Sequence, residues 1–204
     1  LASAFSSKTK MILLNSPQNP ATKVYDRDEL QFIADLVIKH DAYAVCDEVY
    51  EHIVFDGAQH IPLMTLPGMR DRCVRIGSAG KTFSMTAWKV GYMTAPANLL
   101  GAIAKAHQFV TFTTPTNLQR AVAMGLEQED NYFAGLCAAQ EAKRDRIRDA
   151  LEDAGFETLY TAGTYFLSVD IRSVGFEDGD VAFCEHIIRQ AKVAAIPLSA
   201  FYQE

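Results

Sequence analysis

The residues best suited to chemistry surround one lysine. Residues 77–82 read Gly-Ser-Ala-Gly-Lys-Thr, so Lys81 follows a glycine and precedes a threonine. Such an ending is typical of the loop with which P-loop proteins bind nucleotide phosphates. That motif also requires a glycine where this chain has Arg75. In addition, the acidic pair at residues 47–48, which would hold magnesium, precedes the lysine instead of following it. The spacing therefore disfavours a nucleotide-binding P-loop.

Polar segments elsewhere in the chain combine with this lysine in a different pattern. They are residues 16–20 (Ser-Pro-Gln-Asn-Pro), 47–50 (Asp-Glu-Val-Tyr) and 78–81 (Ser-Ala-Gly-Lys), with Lys89 eight residues after the lysine. In order and spacing they resemble the active site of fold-type I, pyridoxal-phosphate-dependent aminotransferases of class I and II. The resemblance extends to residues 163–166 and 195–198. It therefore covers essentially the whole chain.

The resemblance assigns the central chemistry to two residues. It implies that Lys81 forms the Schiff base with pyridoxal 5′-phosphate and, once the substrate displaces it, moves a proton between substrate and cofactor. It also implies that Asp47 faces the pyridine nitrogen and keeps it protonated, which makes the ring an electron sink. Lysine suits the first task because its amine can become neutral when its surroundings change.

Four further residues are implied to bind the cofactor. Tyr50 and Asn19 would donate hydrogen bonds to the 3-oxygen of the ring, and Asn19 would also contact the substrate. Ser78 and Lys89 would hold the phosphate, one as a hydroxyl donor and the other as a cation. The Asn19-Pro20 peptide bond is a candidate cis bond that aims the Asn19 side chain at the cofactor.

The resemblance implies an enzyme that transfers an amino group from an amino acid to a 2-oxo acid. The Trp-Lys-x-Gly-Tyr stretch at residues 88–92 is most similar to the kynurenine, glutamine and methionine aminotransferase branch. This favours a large apolar, aromatic or sulfur-containing substrate. Two alternatives stay open, namely a β-lyase that cleaves carbon–sulfur bonds and a remnant without catalytic activity.

Composition and charge exclude several classes of protein. The chain has 204 residues and a net charge of −6. This charge disfavours binding to nucleic acid or to anionic membranes, because both need a basic protein surface. Its 4 cysteines and 5 histidines lack the spacing of disulfide frameworks or metal sites. We therefore expect no metal, and a reducing, cytoplasmic location. The resemblance also implies that the protein forms a homodimer.

Hydrophobic patterns predict an α/β fold with a largely parallel sheet. The resemblance makes this the three-layer sheet of the pyridoxal-phosphate-dependent transferase large domain, in part, with part of a smaller α+β C-terminal domain. We expect the boundary between residues 1–130 and 131–204, with strands at residues 163–170 and 193–197 in the second part.

The aminotransferases that this chain resembles are markedly longer. The resemblance implies further parts that supply the small-residue phosphate loop, the ring that stacks on the cofactor and the arginine that clamps the substrate carboxylate. We therefore expect these 204 residues alone to bind the cofactor poorly and to transaminate negligibly.

Overall fold

A four-stranded sheet forms the centre of the molecule. The computed structural model describes residues 1–202. The strands lie in chain order: β1 (Met11–Asn15), β2 (Tyr43–Asp47), β3 (Cys73–Ser78) and β4 (Gly91–Thr94). The first three are parallel to one another, and β4 pairs with β3 in the antiparallel direction. The prediction of an α/β fold with a largely parallel sheet is thus confirmed.

The other main elements are helices. They are α1 (Arg27–Lys39), α2 (Ala79–Thr82), α3 (Ala97–Val110), α4 (Thr116–Leu126), α5 (Asp130–Asp153) and α6 (Asp180–Ala191). A small antiparallel sheet follows α5 and pairs β5 (Glu157–Thr158) with β6 (Val169–Asp170). Within residues 1–202, no helix has the length and apolarity needed to cross a membrane. The division of the chain at residue 130 stays a prediction.

The first helix shows how local sequence sets the fold. The Asp26 side chain accepts a hydrogen bond from the backbone of Glu29, whose own side chain accepts one from the backbone of Asp26. This capping box satisfies backbone groups that the first turn leaves without helical partners. Leu30, Ile33 and Val37 follow at helical spacing and are buried in the main core. Burying each such side chain stabilises the fold by roughly 1.5–3 kcal/mol.

The strand register brings polar residues together at one edge of the sheet. Asn15 and Asp47 are partners at the carboxyl ends of β1 and β2, and Asp47 in turn pairs with Ile76 of β3. The Asn15 amide donates a hydrogen bond of 3.0 Å to the Asp47 carbonyl. Because open α/β sheets bind ligands at the carboxyl ends of their parallel strands, this edge is the expected place for a site.

Two predicted strands in the C-terminal part are wrong. Of residues 163–170, the structure has a strand only at Val169–Asp170. Thr164 adopts a left-handed backbone with φ of 69°, which a continuous strand does not allow. Residues 193–197 form no strand, since Val193 and Ile196 are each 54% exposed and no described strand lies beside them.

One buried arginine fastens the long helix α5 to the body. Arg144 donates two hydrogen bonds of 2.8 Å to the Asp56 carboxylate and one of 2.9 Å to the Thr161 carbonyl. Its guanidinium also lies over the Phe55 ring, 4.9 Å from the centroid. These contacts join α5 to the loops that contain Asp56 and Thr161.

We expect Arg144→Met to lower the free energy of unfolding by about 2 kcal/mol, because it leaves Asp56 without its partner. The loss should be smaller than for a fully buried pair, since the Asp56 side chain is 43% exposed. Urea unfolding measures it. Arg148→Met is the matched control, as its ion pairs are with exposed side chains on the same helix.

The same pair predicts a dependence on pH. The hydrogen bonds from Arg144 hold the pKa of Asp56 below its ordinary value, although burial opposes the shift. The stabilisation is complete above the unfolded pKa, about 4, and is lost as pH falls through the lower folded value. When the pH is lowered below about 4, the free energy of unfolding should therefore fall less in Arg144→Met than in wild type, as unfolding curves at each pH would show. Equal losses would contradict this.

Candidate active site

A cavity of about 260 Å³ lies where β3, α2 and the start of β4 meet. It is lined by Ser78, Gly80, Lys81, Thr86, Lys89, Val90 and Gly91. The antiparallel register places Gly91 opposite Ser78, which brings the preceding residues back toward the β3 end. The structure thus brings together Lys81 and the two residues predicted to hold phosphate.

Backbone geometry shapes this cavity. A side chain at Gly80 would place its Cβ 2.9 Å from the Thr86 Cα, so only glycine fits there. Lys89 has a left-handed backbone with φ of 54° and an exposed side chain. The hydroxyl of Ser78 and the cation of Lys89 therefore flank an opening that could hold an anionic group.

The amine of Lys81 contacts two tyrosines. Its Nζ donates a hydrogen bond of 2.6 Å to the Tyr165 hydroxyl. It also lies 5.3 Å from the centroid of the Tyr50 ring and 5.2 Å from that of Tyr165. Burial raises the pKa of Tyr165, but the combined effects of Lys81 and Tyr50 lower it further than burial raises it, so the pKa lies below its usual value. The two side chains are therefore electrostatically linked.

Tyr50 is almost completely buried, with 1% of its surface exposed. Its hydroxyl has no hydrogen-bond partner among residues 1–202. Burial raises the pKa of this hydroxyl, the neighbouring Tyr165 adds to the shift, and the Asp47 carboxylate adds least. A buried hydroxyl without a partner is energetically costly, so it is a donor available to a bound ligand.

Asp47 and Asn19 lie at the neighbouring strand ends. The half-buried Asp47 accepts a hydrogen bond of 3.3 Å at its carboxylate from the Val49 backbone. The backbone of Asn19 donates to the Asn15 side chain at 2.7 Å, which ties its loop to the same sheet edge. The Asn19-Pro20 bond is cis, as predicted, and the Asn19 side chain is exposed.

A buried charged cluster lies close to these residues. Glu48, which is 3% exposed, accepts hydrogen bonds from Arg75 Nε at 2.6 Å and from His60 Nε2 at 3.1 Å. Arg75 also pairs with Glu51, which accepts a hydrogen bond of 3.1 Å from Tyr92. The cluster connects the chain around Asp47 and Tyr50 to β3 and β4.

Sequence reasoning did not identify Tyr165 or the buried cluster as part of the site. Tyr165 lies within a segment that carried the family resemblance, but 84 residues separate it from Lys81. Likewise, 27 residues separate Glu48 from Arg75. Helical or strand periodicity gives no signal for contacts at such separations.

A second, larger cavity of about 490 Å³ lies between β4 and α3. Most of its lining is apolar, and none of the six residues predicted to form the site contributes to it. Catalysis needs a nucleophile or an acid–base group beside polar donors. We therefore assign the candidate active site to the smaller cavity around Lys81.

Comparisons with known proteins agree with this assignment. The chain is 44% identical to kynurenine–oxoglutarate transaminase of Dictyostelium discoideum, over 99% of this chain and 51% of that protein. Its fold matches N-succinyldiaminopimelate aminotransferase of Mycobacterium tuberculosis with a TM-score of 0.96 and 38% identity, covering 100% of this chain and 53% of that one. It matches YbdL of Escherichia coli, identified as having a methionine aminotransferase function, with a TM-score of 0.93, 38% identity and the same coverage.

The chain spans about half the length of these relatives. The family model described as aminotransferase class I and II matches residues 1–204. A match over this range, together with relatives well above 30% identity, confirms the resemblance found in the sequence. The chain belongs to the class I and II aminotransferases.

Proposed function

We propose that this chain carries the catalytic lysine of an enzyme that transfers an amino group from an amino acid to a 2-oxo acid. Class I and II aminotransferases use pyridoxal 5′-phosphate. The observation that carries the proposal is the position of Lys81, whose amine lies between two tyrosines and whose cavity also contains Ser78 and Lys89.

The side chains around this cavity fit the cofactor. Ser78 and Lys89 offer a hydroxyl donor and a cation, the groups that bind phosphate. The partnerless hydroxyl of Tyr50 is a donor suited to the ring 3-oxygen. We propose that the Asp47 carboxylate accepts a hydrogen bond from the protonated ring nitrogen. We propose that Asn19, at the same edge of the sheet, donates a hydrogen bond to the cofactor and contacts the substrate.

The mechanism assigns a task to each side chain. When bound, the cofactor supplies an electron sink that allows the α-proton of the amino acid to leave. The Lys81 amine would hold the cofactor through its aldehyde and, when free, would accept the α-proton of the amino acid and return a proton. Asp47 keeps a proton on the ring nitrogen, because its negative charge favours the protonated form. Ser78 and Lys89 keep the phosphate in place.

The substrate class follows from similar proteins. The names of two of them refer to kynurenine and to methionine, which are large amino acids with an aromatic or a sulfur-containing side chain. We propose a large apolar, aromatic or sulfur-containing amino donor and a 2-oxo acid acceptor. By the same resemblance we propose a homodimer in the cytoplasm. Sedimentation velocity would measure the oligomeric state.

The test uses a chain of the relatives' full length that contains these residues, because residues 1–204 alone are expected to be nearly inactive. It is supplied with pyridoxal 5′-phosphate and 2-oxoglutarate, and with kynurenine, methionine or a cysteine S-conjugate in turn. We expect the keto acid of the donor to form together with glutamate and without free ammonia. Release of ammonia and a thiol from the S-conjugate, without glutamate, would instead identify a carbon–sulfur β-lyase. If no donor yields a keto acid, the proposed function is wrong.

A further inference from the structure

The Lys81 amine is held at one place by aromatic side chains from distant parts of the chain. Tyr165 accepts its hydrogen bond at 2.6 Å, and Tyr50 presents its ring to the amine at 5.3 Å. The two rings meet edge to face, with their centroids 5.1 Å apart. Cation–π attraction and one directed hydrogen bond therefore fix the direction of the Lys81 side chain.

The backbone around Tyr165 is fixed independently of Lys81. Gly163 forms an isolated antiparallel bridge with Val54, and the Thr164 N–H donates a hydrogen bond of 2.9 Å to the Ile53 carbonyl. A Cβ at Gly163 would lie 2.7 Å from that same carbonyl oxygen, so the two segments are in close contact. Thr164 itself is fully buried. Tyr165 therefore projects from a rigid position.

Phe166 completes this arrangement on the other side. Its backbone donates to the Thr164 hydroxyl at 3.2 Å, and its ring lies 6.3 Å from that of Tyr50. By contrast, 47% of the Tyr165 side chain remains exposed. The ring is thus supported by its neighbours yet remains partly exposed.

A hydroxyl acceptor suits a lysine that changes its charge. The amine must be neutral to attack a carbonyl carbon and must carry a proton to return one. A carboxylate partner would strongly favour the charged form, whereas a tyrosine hydroxyl accepts an N–H from either form. When the neutral amine donates one N–H to Tyr165, its lone pair remains free to attack.

We propose that Tyr165 is a further positioning residue of the active site, whose hydroxyl holds the reacting nitrogen of Lys81 at the cavity and receives it again after each turnover. The proposal deepens the proposed function and rests on it, because it requires Lys81 to be the lysine that reacts. It assigns a role to the hydroxyl group alone, separate from the packing of the ring.

The test compares Tyr165→Phe with wild type, both in a chain of the relatives' full length that contains these residues, in the rate at which the cofactor-free protein combines with pyridoxal 5′-phosphate. Phenylalanine keeps the ring that packs on Tyr50 and removes only the acceptor. Stopped-flow absorbance follows the visible band that forms when a lysine amine joins the aldehyde. Losing a hydrogen bond that orients the amine should slow this step about tenfold. Tyr160→Phe is the matched control, since Tyr160 is 72% exposed.

A slower rate at equal final absorbance, with Tyr160→Phe at the wild-type rate, supports the proposal. With turnover measured as well, kcat should fall in Tyr165→Phe while the KM for the amino donor stays within about twofold. Equal or faster band formation overturns it, as does a slower rate explained entirely by a smaller amount of folded protein. A wild-type protein that forms no band refutes the proposed function itself, which is a different result from equal rates.

Discussion

Lys81→Ala is expected to lower the rate of transamination by on the order of 10⁴-fold or more, because this one amine both holds the cofactor and moves the proton. The methyl group of alanine can do neither. Product formation from amino acid and 2-oxo acid gives the rate, measured under saturating cofactor in a chain of the relatives' full length that contains these residues. Lys81→Arg should be equally inactive, since a guanidinium stays protonated and is not a nucleophile.

Two controls separate catalysis from folding in this experiment. Lys105→Ala removes an exposed lysine from α3 and should keep the wild-type rate. The far-ultraviolet circular dichroism of Lys81→Ala should match wild type, because Lys81 is only half-buried and its charge makes no ion pair with a described carboxylate. If Lys81→Ala retained more than about one-tenth of the wild-type rate, another residue would have to be the catalytic lysine.

Arg75→Met is expected to lower the free energy of unfolding by about 3 kcal/mol, the second large effect. Glu48 and Arg75 are both largely buried, with 3% and 18% of their side chains exposed. Removing the arginine leaves the Glu48 carboxylate with His60 alone and takes the arginine partner from Glu51, which keeps the Tyr92 hydroxyl. Breaking a buried ion pair from one side typically costs about 3–5 kcal/mol. Urea denaturation monitored by fluorescence measures the loss.

The matched control for that experiment is Arg189→Met. Its ion pair with Glu185 lies on the surface of α6, with side chains 74% and 60% exposed, so the loss should stay within about 0.5 kcal/mol. Combining Arg75→Met with Glu48→Gln should cost less than the sum of the single changes, because the second change removes the unpaired charge. An Arg75→Met loss no larger than that of Arg189→Met would mean that the cluster does not stabilise the fold.

The sequence predicts the parts of this molecule that depend on local signals. The sequence itself carries the capping-box pattern of Asp26 and Glu29 that begins α1, and the apolar runs before Asp47 and Ser78 that form β2 and β3. The eight-residue spacing from Lys81 to Lys89 likewise needs only a short connection. In each case the physical cause lies within a few residues of the feature.

Features that depend on distant contacts were not predictable in this way. The strand expected at residues 163–170 is interrupted because Thr164 adopts a left-handed backbone, held where residues 162–164 pair with residues 53–55. That pairing also directs Tyr165 toward Lys81. The contact that interrupts the predicted strand therefore also places Tyr165 in the site. Nor does any local pattern show that Arg75, on β3, turns toward Glu48.

The central claim, that Lys81 is the residue that binds the cofactor, has a direct measurement. A chain of the relatives' full length that contains these residues is incubated with pyridoxal 5′-phosphate, reduced with borohydride to make the attachment permanent, digested, and analysed by mass spectrometry. We predict that the phosphopyridoxyl group is found on Lys81 at close to one per chain, with the exposed Lys105 labelled only weakly. An unlabelled Lys81, or one labelled no more than Lys105, would contradict the account.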